Sequence, residues 1–225
     1  MTNTSAAFFD VDETVVNIKS MFSFLEFYLE YGNEEPLAKT GTFLELMHYF
    51  REIGETYPRT YVNRQYYRLF IDVPLSHFNA VVEKWFEHIY DNGLVFHTPV
   101  LTHLRSHQEN NDLVVFVSGS CNEILAPIAR HLGVTHLLGV TLQVKNEIIT
   151  GEIVPPQTIG KGKAEAIKMF IRQHDLSAED CYAYGDHESD IPMLECVANA
   201  FAVGSHPQLL RWQRDNNKSH IVLEN

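Results

Sequence analysis

An α/β fold, in which a doubly wound, mostly parallel sheet carries an all-helical insertion, is predicted by three observations. A short apolar run, Ala6-Ala7-Phe8-Phe9, stops abruptly on Asp10 and Asp12, as a buried parallel strand does where ligand-handling residues gather beyond its carboxyl end. Residues 19–90 then repeat apolar side chains at three-and-four spacing, which reads as helix. From Pro99 onward, short apolar runs alternate with helical periods to the end of the chain, the pattern of successive βα units. The 225 residues suit one large domain, or a domain with a smaller one inserted.

Taken in order, Ala6 to Phe9 is long enough for a buried strand. Ser20 to Tyr31 places Met21, Phe22, Phe24, Leu25, Tyr28 and Leu29 on one face, with Ser20 the expected cap and Gly32-Asn33 the expected stop. Helices are expected over Phe43 to Ile53, Arg59 to Phe70 and Leu75 to Tyr90, punctuated by Gly54, Pro58 and Pro74. The aromatics of this block, Phe43, Tyr49, Phe50, Tyr66, Tyr67, Phe70, Phe78, Trp85 and Phe86, recur at helical intervals and are expected in its core. Arg64 and Arg68, one turn apart, read as a solvated face or as a grip for an anion.

After Asp91-Asn92-Gly93, Pro99 to His107 opens the alternating series. Leu113 to Val117 is a β-branched strand ending at Ser118-Gly119-Ser120. A helix follows to about Leu132, in which Pro127 requires a bend or a late start. Leu137 to Val140 is a further strand, and Thr141 to Val154 a hairpin turning near Lys145-Asn146. Gly160-Lys161-Gly162-Lys163 opens a helix with Lys163 in its first turn, where a cation opposes the macrodipole and calls for a nearby anion. Cys181 to Tyr184 is a strand running into Gly185-Asp186-His187-Glu188-Ser189-Asp190. Phe201 to Val203, a helix around Leu209 to Trp212, and Ile221 to Leu223 complete the sheet.

Composition narrows the function classes. A formal net charge of -12 argues against nucleic acid and against an anionic membrane surface, both of which reward basic proteins. An anionic substrate must therefore be attracted locally, by a metal and a few cations. Cys121, Cys181 and Cys196 are scattered without a C-x-x-C pair, so neither a disulfide framework nor a zinc site is suggested, and a cytoplasmic location is expected. No run approaches the roughly 18 apolar residues of a membrane span.

The expected strand ends bring one set of side chains to one sheet edge: Asp10 with Asp12, Ser118, Lys163 beyond a loop, and Asp186 with Asp190. With period-2 alternation, Asp10 and Asp12 leave the same face. The acid pair plus Asp186 supplies the oxygen donors that Mg²⁺ prefers. A carboxylate attacking a phosphate dianion meets charge repulsion, which the metal and Lys163 would neutralise. Ser118 and adjacent backbone N–H groups suit the remaining phosphoryl oxygens.

Here the chain resembles the haloacid dehalogenase superfamily. Asp10-Val11-Asp12-Glu13-Thr14 is similar to its D-x-D-x-T motif, Ser118-Gly119 to its second motif, Lys163 to its third, and Gly185-Asp186 through Asp190 to its fourth, in the same order. The helical insertion after the first motif resembles the cap of subfamily IB, the phosphoserine-phosphatase-like branch. The resemblance implies a Rossmann-like catalytic core over residues 1–18 and 91–225, and a helical cap over 19–90. It implies that Asp10 is the nucleophile that becomes an aspartyl phosphate and Asp12 the general acid and base, whose backbone carbonyl also ligates Mg²⁺. Asp186 would be the side-chain metal ligand, so the implied metal set is Asp10, Asp12 and Asp186. Asp190 would orient Lys163 or a metal-bound water. The substrate- and phosphate-binding set is Ser118, Gly119, Thr14 and Lys19, with Thr14 also supporting the loop. Phosphoserine phosphatases carry a Glu where Lys19 aligns, so Lys19 disfavours a substrate ammonium if it faces the pocket, and has no effect if it points to solvent.

The expected function is a Mg²⁺-dependent phosphomonoester hydrolase acting on a small cytosolic metabolite, as a monomer or homodimer, without nucleic-acid or membrane partners. Two alternatives are a phosphotransferase passing the phosphoryl group to an acceptor alcohol and a non-catalytic phosphate-binding module. Asp12 argues against a dehalogenase, which lacks a second acid at that position.

Overall fold

The computed structural model describes residues 5–32 and 41–223. Seven strands form one sheet in the order β4-β3-β2-β1-β5-β6-β7. They are β1 (Ala6–Phe9), β2 (Leu113–Cys121), β3 (His136–Lys145), β4 (Ile148–Val154), β5 (Tyr182–Gly185), β6 (Asn199–Val203) and β7 (Ser219–Ile221). All neighbours are parallel except β3 and β4. The strand β1 is central and fully buried, which is why it reads as a continuous apolar run rather than an alternating one.

Alternate residues of β1 feed opposite faces. Ala7 and Phe9 join a cluster with the insertion and the helices beside it, whereas Ala6 and Phe8 join a second cluster containing Ile167, Phe170, Met193 and Leu209. On the first face Phe9, Tyr184 and Phe201 stack across three neighbouring strands, with ring centroids 4.2 and 4.6 Å apart. On the second, Phe8 meets Phe170 edge-on at 5.7 Å.

Helices α1 (Ser20–Tyr31), α2 (Phe43–Thr56), α3 (Arg59–Arg68) and α4 (Leu75–Asp91) form the insertion between β1 and α5 (Thr98–Glu109). Helices α6 (Asn122–His131), α7 (Lys161–Gln173), α8 (Ile191–Leu194) and α9 (Pro207–Asp215) follow the later strands. Phe24, Phe70, Phe78 and Trp85 form the insertion's aromatic centre, with Phe24 to Phe78 and Phe70 to Phe78 both 5.0 Å apart. Tyr49, expected inside, is exposed. Arg68 pairs with Glu152 at 2.8 Å and Arg64 donates to Gln157 at 3.2 Å, both on the surface, so the solvated-face reading of that pair holds.

Several boundaries differ from expectation for physical reasons. Gly54 does not stop α2, which continues to Thr56. A single glycine costs a helix about 1 kcal/mol, and a Thr42–Glu45 capping box with buried Leu46 and Phe50 holds this one. Ser20 is the first helical residue rather than the cap, which falls to Lys19. Pro127 is accommodated inside α6. The strand expected over 137–140 and the first arm of the hairpin are one strand, β3, and the turn sits at Asn146-Glu147, both with positive φ. Asn33 lies outside the described residues. Among the described residues, no helix is long and apolar enough to cross a membrane.

Candidate active site

The carboxyl end of β1 is continued by one more sheet contact, from the Asp10 amide to the Tyr184 carbonyl at 2.9 Å. The chain then leaves the sheet in a tight loop in which the amides of Thr14, Val15 and Val16 all donate to the Val11 carbonyl at 2.9–3.3 Å. Glu13 takes a left-handed conformation, φ 60°. This loop turns Thr14 inward, fully buried, and its hydroxyl donates to Asp186 Oδ1 at 2.9 Å. Thr14 does not line the cavity, which corrects its place among the substrate-binding residues: it fixes a carboxylate at the end of β5.

Lys163, 5% exposed, extends its ammonium between Asp10 Oδ1 and Asp190 Oδ1, each 2.7 Å away. These are the anions its position in the first turn of α7 called for. Helix α7 approaches closely because Gly162 has no Cβ; one there would lie 1.6 Å from the Gln157 carbonyl oxygen. Asp190 Oδ2 in turn accepts from the His187 amide at 3.2 Å, so the carboxylate that meets Lys163 is itself held from the backbone.

Asp12 is held differently. Its Oδ2 accepts from Ser120 Oγ at 3.4 Å, and Ser120 Oγ lies 2.6 Å from Ser20 Oγ. Both serines are fully buried, which explains why Ser20 does not cap its helix. Asp12 Oδ1 is shut off from solvent and has no protein partner among the described residues. Burial lifts the Asp12 carboxyl to about 6, against the smaller opposing effect of Ser20. Asp10 is also raised, first by burial and against the pull of Lys163. Asp186 is raised by burial and by the neighbouring Asp190 carboxylate, with Thr14 acting in the opposite direction.

Ser118 and Gly119 lie within β2, where the register with β3 shifts between Val117 and Cys121. The irregularity extends the strand past its expected end and turns both residues into the cavity. The Ser118 hydroxyl accepts from the Ser120 amide at 3.0 Å, and the Ser118 carbonyl accepts from Thr158 Oγ1 at 2.6 Å. The Gly119 carbonyl accepts from two residues of the insertion, Asn63 and Tyr67, each at 2.9 Å.

Asp10, Asp12, Ser118, Gly119, Lys163, Asp186 and Asp190 thus border one cavity of about 430 Å³, roofed by the insertion. Lys19 stands at its rim, exposed and 3.3 Å from Glu13, so the two outcomes foreseen for it merge: it borders the cavity with its charge already partnered. Sequence reasoning missed Asn63, Arg59, Ser20 and Ser120 as site residues. Arg59 Nη1 reaches from the start of α3 to Ser189 Oγ at 2.9 Å and His187 Nδ1 at 3.0 Å; its only signal was a cation directly after a helix-opening proline.

The donor set fits a hard divalent cation. Carboxylate oxygens of Asp10, Asp186 and Asp190 lie within 4.8 Å of one another. With Asp12, these acids surround the single buried ammonium of Lys163, leaving an excess of negative charge that burial penalises and that a cation with oxygen preference would relieve.

The sequence model of the haloacid dehalogenase-like hydrolase family matches residues 7–195. Among related proteins, a probable phosphatase of Mycobacterium tuberculosis is 30% identical over 203 residues, 88% of this chain and 68% of the relative. A phosphoserine phosphatase of the same species is 29% identical over 219 residues, 94% of this chain and 68% of its own length. Of solved structures, a protein of unknown function from Bordetella pertussis Tohama I superposes with a TM-score of 0.85 at 22% identity, covering 99% of this chain and 100% of its own. A phospho-aspartyl intermediate analogue of phosphoserine phosphatase gives a TM-score of 0.68 at 17% identity, covering 99% and 95%. The chain belongs to the haloacid dehalogenase-like hydrolase family.

Proposed function

We propose that this chain is a Mg²⁺-dependent phosphomonoester hydrolase that acts on a small phosphorylated metabolite through an aspartyl phosphate on Asp10. The observation that carries this reading is the unlike treatment of two carboxylates at one cavity: Asp10 is tied to a buried ammonium, while Asp12 meets only a neutral serine pair and keeps one oxygen unpartnered. The first is set to attack, the second to hold and release a proton near neutral pH.

In this reading an Asp10 oxygen attacks phosphorus as the ester bond breaks, and Asp12 gives its proton to the departing alkoxide. Asp12 then takes a proton from water, whose oxygen attacks the acyl phosphate and returns Asp10 with inorganic phosphate. Lys163 offsets the charge of the transferring group and keeps Asp10 aimed. Ser118 and Gly119, which border the cavity, would take the phosphoryl oxygens. Asp10 and Asp186, with the Asp12 carbonyl, would hold Mg²⁺, which supplies charge neutralisation at the phosphoryl group when bound. The division of the chain into a core, 1–18 and 91–225, and a cap, 19–90, belongs to the same reading, as does a cytoplasmic monomer or homodimer.

The test is turnover of an aryl phosphate with Mg²⁺, before and after chelation, by wild type and Asp10→Asn. The wild type should release phosphate only with the metal, and the folded amide variant should release none. In Asp12→Asn, labelled phosphate should remain on the protein. Turnover by Asp10→Asn would overturn the nucleophile, and recovery of the label on an added alcohol instead of water would make the chain a phosphotransferase.

A further inference from the structure

The cavity has two unlike halves. Its floor carries the acids, Lys163 and Ser118. Its roof is carbon: Met21 and Phe22 from α1, Phe50 from α2, Val62 and Tyr66 from α3, and Ile159 from the loop before α7. Phe22, Phe50 and Tyr66 form a triangle of rings with centroids 6.0–6.3 Å apart.

The two polar side chains within the apolar wall, Asn63 and Tyr66, are already occupied. Asn63 donates to the Gly119 carbonyl at 2.9 Å and to Met21 Sδ at 3.3 Å, and its Oδ1 accepts from Gln157 at 2.8 Å. Tyr66 donates its hydroxyl to the Met21 carbonyl at 2.7 Å. At the rim Lys19 is paired with Glu13 in an exposed contact, and Arg59 reaches Ser189 and His187 through Nη1. A polar leaving group lying against the Phe22, Phe50 and Tyr66 wall would give up its hydration with nothing there to replace it. A hydrocarbon one would be buried against matching surface.

The mouth is open on one side by the absence of a side chain. Gly54 lies in the last turn of α2 and borders the cavity, and a Cβ built on it would meet nothing within 4 Å. A glycine inside a helix costs stability that alanine would restore. Tyr57, stacked on Tyr61 at 4.4 Å, stands beside the gap.

We infer that the leaving group is the alkyl chain of a simple alcohol, lying against the Phe22, Phe50 and Tyr66 wall and emerging past Gly54, so that the substrate class is alkyl phosphomonoesters rather than phosphorylated amino acids. This rests on the hydrolase reading above for its chemistry, but not for its binding.

Wild-type kcat/KM should be measured for linear alkyl phosphates from butyl to octyl and for phosphoserine. Calorimetric affinities of the corresponding alkyl phosphonates, which cannot be hydrolysed, give a readout independent of catalysis. Each methylene buried in the roof should raise kcat/KM and phosphonate affinity by up to about fourfold, and phosphoserine should fall below butyl phosphate. Gly54→Leu should shorten the chain length at which the rise stops and lower the octyl-to-butyl ratio at least threefold. Rising phosphonate affinity without turnover of any ester would remove the hydrolase reading and keep the roof as a binding site for the alkyl chain of a phosphate ester. Affinity independent of chain length, or a preference for phosphoserine, would overturn this one and leave the hydrolase reading standing.

Discussion

Replacing Thr14 with valine tests whether a residue that touches no cavity surface governs metal affinity. The exchange keeps the shape of a fully buried side chain and removes one hydroxyl, whose hydrogen bond to Asp186 Oδ1 is 2.9 Å long. A hydrogen bond to a charged group contributes about 1.5–3 kcal/mol. Its loss acts on Asp186 twice. The carboxylate is less firmly aimed, and its pKa, already raised by burial and by Asp190, moves further in the same direction, so a larger fraction is protonated and unable to ligate. Partners that orient metal ligands typically contribute about 10- to 100-fold in affinity, or roughly 1.4–2.7 kcal/mol, within the range of the bond removed. The half-saturating Mg²⁺ concentration for phosphate release should therefore rise about 10- to 100-fold in Thr14→Val, with kcat at saturating metal close to wild type. The rise in melting temperature on adding Mg²⁺ should shrink in parallel, because a metal at 100 times its Kd stabilises by about 2.7 kcal/mol and less as Kd rises. Thr14→Ser should restore both. An unchanged Mg²⁺ midpoint with an unchanged thermal shift would refute the assignment of Thr14 as the residue that positions Asp186.

Lys163→Met should nearly abolish turnover and also destabilise the fold by about 3–5 kcal/mol at neutral pH, since it strands Asp10 and Asp190 without their shared cation. The folded pKa of Asp10, already raised by burial against the pull of Lys163, would then rise further above the unfolded one, so the folded state binds more protons and the variant should lose stability as pH rises from about 4; denaturant unfolding at pH 5 and pH 8 checks the sign. His107 is buried, 2.7 Å from Asp112 Oδ2 and 2.8 Å from the Tyr184 hydroxyl. His107→Ala should cost about 2–4 kcal/mol of stability without changing kcat, because the group lies under the sheet and away from the cavity. Lys19→Glu should alter the ratio of kcat/KM for phosphoserine to that for butyl phosphate by no more than about fivefold, because exposed, partnered charges contribute little; a larger change would return Lys19 to the pocket wall.

The carboxylates of this site were legible in the chain because a strand end and a two-residue spacing are local facts. Asp10 and Asp12 follow a buried run, and Asp186 and Asp190 follow another, so adjacency of β1 and β5 is enough to bring them together. Lys163 was legible for a different reason: its charge is misplaced for the first turn of a helix, and the structure supplies the missing anions. Thr14 was recognisable by motif but not by role, since its partner lies 172 residues away. Ser20, Asn63 and Arg59 were out of reach, because each matters only through the way the insertion folds over the sheet. Ser20 even carried a misleading signal, its preference for helix caps being overridden by a buried contact with Ser120. The limits of β2 and β3 were misjudged where a register shift and a continuous strand replaced the expected break.

The hairpin of β3 and β4 does more than close one side of the sheet. The loop between α3 and α4 is laced to it by backbone hydrogen bonds: Asp72 to the Ile149 carbonyl at 3.0 Å, Ile149 to that of Val73 at 2.9 Å, and Leu75 to that of Glu147 at 2.8 Å. Gly151 makes the approach close, since a Cβ there would lie 2.7 Å from Ile71 Cγ1. Swinging the whole insertion away would break this lacing, whose bonds each contribute about 0.5–1.5 kcal/mol. The roof is therefore pinned at the α3–α4 corner. Entry and exit fall to the opposite corner, where Arg59 is held to the core by side chains alone. Exchange of the amides of Asp72, Leu75 and Ile149 should report unfolding of the pinned corner rather than the traffic of substrate.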